Sequence, residues 1–155
     1  MTLAAHAIVV DRPVDEVYDA WTDRPALSLR LGDGIEVEPL ADSLTRWTVP
    51  WGGAQHQIVV REIATATRRD VVWMSVSGPR LAGRVSFLPL GACSTCVRLS
   101  VDFDPRNPLG YLADRIGVPD RAVERVLTRF QASVMAETVH HESLGASPHE
   151  GGHAR

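Results

Sequence analysis

Residues 8–23 read IVVDRPVDEVYDAWTD, and the fold turns on how that stretch changes texture. Ile8, Val9 and Val10 make an apolar run of strand character, which Asp11-Arg12-Pro13 interrupts. A helical repeat opens at once, with Val14, Val17, Tyr18 and Trp21 at positions i, i+3, i+4 and i+7. Pro13 suits a first helical position, because its missing N–H would have no helical partner there. Asp15 and Glu16 complement the positive end of the helix dipole. Toward the N-terminus, two-residue alternation carries the strand back through His6, so His6, Ile8 and Val10 share one face.

Downstream, a polar, glycine-bearing connection holds a short second helix around residues 26–31. Six strand-like runs follow at 35–40, 44–51, 57–65, 71–77, 84–90 and 95–104. Each is short, rich in Val, Thr, Trp or Phe, and bounded by Gly, Pro, Asp or Ser. Sequential strands with short links imply an antiparallel meander. The last element is a long helix over 119–142, in which Val123, Val126, Leu127, Phe130 and Val134 recur at helical spacing. Between the last strand and this helix, residues 105–118 (PRNPLGYLADRIGV) form a loop with a short helix over 109–116. The tail 145–155 (GASPHEGGHAR) has nothing to bury and is expected to be disordered.

With 155 residues, 45% hydrophobic and 23% charged, the chain makes one globular domain with a single core. A net charge of −3 gives nucleic acid no basic footprint to find. No apolar run is long enough to span a bilayer, and MTLAAHAIVV lacks the features of a signal peptide. The cytoplasm is therefore the expected compartment. Cys93 and Cys96 flank Ser94-Thr95 between two strand-like runs. Zinc needs about four ligands, and the candidates His140, His141, His149 and His153 lie in or after the last helix, so the pair reads as two reduced cysteines at a hairpin turn. No metal and no cofactor are expected.

Strand, short helices, six strands, long helix: this order, with its motifs, resembles the START-like proteins of the SRPBCC superfamily, the polyketide cyclase/dehydrase family. The matching pieces are Pro13-Val14, Val17-Tyr18 and Trp21-Thr22-Asp23, then residues 71–75 (VVWMS), 83–90 (GRVSFLPL) and 102–105 (DFDP). The stretch after Asp23 departs from the pattern: relatives carry a Leu-Pro-x-Phe type of sequence where this chain has RPALSL. The resemblance implies an α+β helix-grip fold, a curved antiparallel seven-stranded sheet wrapped around the C-terminal helix, with two short helices after the first strand. Residues 1–144 would form the START-like ligand-binding domain.

A hydrophobic small molecule (a polyketide, lipid or isoprenoid quinone) is the ligand that the resemblance implies, held in a cavity between sheet and helix. The expected lining is Trp51, Trp73, Phe87, Leu99, Val101 and Phe130, with residues 105–118 as a lid. Trp21 reads as core. For Trp51, beside Pro50 and Gly52-Gly53, core and cavity-mouth placements both stay open. The family pattern puts Trp73 and Ser75 on the cavity side, although Val72, Met74 and Val76 are the apolar set of that strand. Two functions compete, with a heterodimerising or stress-response accessory protein whose cavity is vestigial as a third reading. As a cyclase, aromatase or dehydratase, the protein would need one acid/base group beside a folded substrate, and His6, Ser75 and Tyr111 are the catalytic candidates. As a carrier or sensor it would need only cavity and lid. An acyl carrier protein and a second copy of the chain are partners compatible with the resemblance.

Overall fold

The computed structural model describes residues 2–32, 34–51, 54–63, 65, 67–78, 80–103 and 118–145. In chain order the elements are β1 (Thr2–Val10), α1 (Val14–Thr22), α2 (Arg24–Leu31), β2 (Glu36–Ala41), β3 (Leu44–Trp51), β4 (Ala54–Ile63), β5 (Asp70–Ser77), β6 (Leu81–Gly91), β7 (Ser94–Phe103) and α3 (Val118–Gly145). All seven strands form one curved antiparallel sheet in the order β1-β7-β6-β5-β4-β3-β2. Strands β2 to β7 are a meander, and β1 completes the sheet by pairing with β7. This is the helix-grip arrangement that the element order implied.

Local chemistry explains the boundaries. Pro13 sits one position earlier than expected: at φ −59° and ψ 147° it is the extended cap residue of α1, and its carbonyl accepts the Val17 N–H at 3.1 Å. Asp23 caps α2 by accepting from the Ala26 N–H at 3.4 Å, so that helix starts at Arg24 and not near residue 26. Two prolines within strands fall where a missing N–H is tolerated. Pro39 lies on the edge strand β2, and Pro89 adjoins a register shift between β6 and β7. The β4 strand begins at Ala54, three residues ahead of its expected start.

Sheet and helix enclose one core. Four of the five helix positions singled out by spacing (Val123, Leu127, Phe130 and Val134) are buried, while Val126 is only partly covered. They meet Val85, Val97, Leu99 and Val101 from the concave face, and Val10 and Ala4 from β1. Strand alternation is set by this contact. Val71 pairs with Val85, both buried, which turns Trp73 and Ser75 inward and sends Met74 and Val76 outward, 48% and 50% exposed. Side helices are tied on by polar contacts. Arg30 of α2 donates to Glu137 of α3 at 2.8 Å, and the Ser28 hydroxyl accepts the Val37 N–H at 3.1 Å.

Candidate functional site

Between the concave face and the first half of α3 lies a cavity with about 900 Å³ of empty space, its open mouth included. Its floor comes from cross-strand rows. Trp47 lies opposite Ile58 and Val49 opposite His56 across β3 and β4, and all four reach the cavity. Val60, Trp73 and Leu81 continue the floor through β4, β5 and β6, and Leu99 and Val101 complete it on β7. Ala122, Val123 and Val126 of α3 and Trp21 of α1 close the other side. Three indoles and a ring of aliphatic side chains make this an apolar site suited to flat hydrocarbon surface. Among the described lining residues, His56 alone carries an ionisable group.

The aromatic walls are braced from behind. The Trp21 ring meets Phe130 edge-on at 5.2 Å between centroids, and lies 6.4 Å from the Trp47 ring at a tilt of 33°. Trp73 sits directly over Gly83 of β6. In the adjoining row position, Glu62 of β4 faces Trp73 and forms an ion pair with Arg24 at the α1–α2 junction. Arg24 Nη1 also donates to the Trp21 carbonyl at 3.2 Å. Burial pushes the Arg24 guanidinium down to about 10, with Tyr18 acting in the opposite direction, so it stays charged at neutral pH.

Most of the expected site residues fall among the described residues. Trp73, Leu99 and Val101 line the cavity. Phe87 does not: it is buried under α1, edge-on to Tyr18 at 5.4 Å, because the helix covers that end of the sheet. Phe130 is fully buried behind Trp21 and supports the wall without forming its surface. His6 is half-buried on β1 opposite Leu99, on the concave face, but is absent from the lining. The Ser75 hydroxyl, next along β5 from Trp73 on the same face, accepts the Leu81 N–H at 2.9 Å and so fixes the β5–β6 connection. Trp51 ends β3, and its side chain is outside the described residues, as are Tyr111 and the 104–117 stretch of the expected lid. Sequence reasoning missed His56, Trp47, Ile58, Val60 and Leu81, and assigned Trp21 to core alone.

The cysteines stand apart from the site. Cys93 is exposed at the β6–β7 turn, and Cys96 lies on the convex face between Val9 and Leu88. Replacing both with Ser is expected to leave the affinity for any cavity ligand unchanged. A tryptophan-quenching titration checks this, and a loss of affinity or of bound zinc in the double variant would contradict it.

Comparison with known proteins agrees with this geometry. A family model described as polyketide cyclase / dehydrase and lipid transport matches residues 10–131. An uncharacterized 17.2 kDa protein of Streptomyces lincolnensis is 26% identical over 132 residues, which is 84% of this chain and 88% of that one. Among solved structures, a Thermus thermophilus protein superposes with a TM-score of 0.77 at 22% identity, covering 88% of this chain and 99% of its own. The Zhui aromatase/cyclase of Streptomyces sp. R1128 superposes with a TM-score of 0.65 at 19% identity, covering 88% and 92%. With its sheet curled around α3 and the family model spanning most of its length, this chain belongs to the polyketide cyclase/dehydrase and lipid transport family of START-like proteins.

Proposed function

We propose that the chain binds a flat, ring-containing hydrophobic molecule in this cavity, with the His56 imidazole holding the ligand's polar oxygen. The observation that carries this is the lining itself: Trp21, Trp47 and Trp73 around an apolar space, with one ionisable side chain among the described residues. Indole faces stack on planar π-systems, and an imidazole can donate to a carbonyl or accept from a phenol. A ligand with one hydroxyl or carbonyl edge and an otherwise apolar body satisfies both.

The finer reading is catalytic. An imidazole can move a proton near neutral pH, which is what an aldol closure or loss of water from a polyketide-like substrate requires. The aromatase/cyclase among the structural neighbours supports that direction. Carriage without chemistry is the second reading, supported by the scarcity of ionisable groups in the described lining.

Titration with emodin (a trihydroxyanthraquinone), a sterol and an isoprenoid quinone, followed by tryptophan quenching, tests the binding. Emodin is expected to quench with saturation. His56→Ala should weaken it about tenfold, the loss of roughly one hydrogen bond. No saturable quenching by any of the three would overturn the binding reading. Equal affinity in wild type and His56→Ala would remove His56 from the site and with it the catalytic version.

A further inference from the structure

Gly83 has a φ outside the left-handed region, so its backbone does not require glycine. What requires it is Trp73. A Cβ at position 83 would lie 2.1 Å from Trp73 Cζ2, 2.4 Å from Cε2 and 2.7 Å from Cη2, far inside van der Waals contact. Trp73 and Gly83 are direct cross-strand partners, and Gly83 is paired on its other side with Val101, a second lining residue. The ring therefore reaches across to β6 and rests in the gap that the missing side chain leaves in the sheet's concave face.

We propose that this seat sets the size of ligand the cavity accepts, with Gly83 as the specificity-determining residue; the inference rests on the ligand-binding reading above. With any side chain at 83 something must give. The backbone there is held by ladders on both sides. Retreat toward β4 is blocked by Glu62, Trp73's other cross-strand partner, which is ion-paired with Arg24. What stays open is the cavity. The indole must lift off the sheet toward Val123 and Val126 of α3, and the space between sheet and helix shrinks by the volume of the added methyl together with any gap left beneath the lifted ring. Alanine at position 83 would therefore act as a size filter while leaving the polar end at His56 untouched.

The seat can be tested without a ligand. In wild-type protein the Gly83 Hα protons should show ring-current shifts and NOEs to Trp73 Hζ2 and Hη2; their absence would overturn the seat. Two probes then test its consequence: three-ring emodin and two-ring 2-naphthol. Gly83→Ala should weaken emodin about tenfold or more and 2-naphthol by less than about twofold. In a Trp73→Leu background the same alanine should change emodin affinity by less than about threefold, because no ring remains to be displaced. Equal weakening of both probes, unchanged emodin binding, or an undiminished effect in the Trp73→Leu background would each overturn the size limit. If Gly83→Ala alone fails to fold, Trp73→Leu/Gly83→Ala must fold, and its failure to do so would overturn the clash. Wild type that binds neither probe overturns the size limit, and if the sterol and the isoprenoid quinone also fail to bind the ligand-binding reading falls with it; the NOEs tell either failure from a misplaced indole.

Discussion

Phe130→Ala is expected to destabilise the protein by about 3–5 kcal/mol, the range for removing a fully buried phenylalanine from a packed core. Phe130 has 0% exposure and its ring stands against the edge of Trp21, which in turn faces Trp47 across the cavity wall. The deletion therefore leaves a void on the far side of the cavity wall. A domain of this size has roughly 5–15 kcal/mol of total stability, so the loss is a large share of the whole. It corresponds to a melting shift of about 10 °C at roughly 2–4 °C per kcal/mol. Phe130→Leu keeps most of the volume and should cost no more than about 1.5 kcal/mol. Urea unfolding at constant m-value checks both, and coincident midpoints for the two variants would show that Phe130 is not packed as described. Because Trp21 would lose its edge contact, the alanine variant should also bind emodin more weakly.

The architecture was open to sequence reasoning because periodicity reports directly on which face meets the core. Val123, Leu127, Phe130 and Val134 share a stripe on α3, and the alternation of Val97, Leu99 and Val101 fixes the inward face of β7. The site was less legible, for reasons that differ residue by residue. Periodicity assigns a face but says nothing of what covers it. Phe87 faces inward as expected, yet α1 and Tyr18 occupy the space over it. On β5 the apolar alternation pointed the wrong way. Met74 and Val76 are exposed, and the register with β6 decides the matter through Val71 and Val85.

His56 illustrates a missed signal. His56, Ile58 and Val60 alternate on β4 just as His6, Ile8 and Val10 do on β1, but a strand begun at residue 57 leaves His56 in the turn. The β3–β4 ladder runs out to the pairing of Trp51 with Ala54, which carries His56 into the strand. Gly83 carried no sequence-level signal of its role. It lies ten residues from Trp73, and only the β5–β6 register makes them neighbours.

That register also gives weight to the pair that holds Trp73 from the other side. Glu62→Gln is expected to cost about 1–3 kcal/mol, less than the roughly 3–5 kcal/mol of a fully buried pair, because the Glu62 side chain keeps 30% of its exposure. The Arg24 side chain is only 11% exposed, so losing the carboxylate leaves a desolvated guanidinium leaning on the neutral Trp21 carbonyl. The direction of the Arg24 shift agrees. A cation whose folded pKa is lowered, here to about 10, loses stability by being charged at every pH below that value, and relief comes only above it. Across the neutral range the burden is constant; Tyr18 acts against it, and the Glu62 carboxylate sits beside the guanidinium. Arg24→Met/Glu62→Leu removes both charges and should therefore be more stable than Glu62→Gln alone. Urea midpoints at pH 7 decide the order: a double variant less stable than the single, or a Glu62→Gln cost within about 0.5 kcal/mol of zero, would mark the pair as an ordinary surface contact. Were the pair a true brace, Glu62→Gln should also loosen Trp73 toward β4 and relax the discrimination between emodin and 2-naphthol in a Gly83→Ala background, since the indole would then have a second way to move.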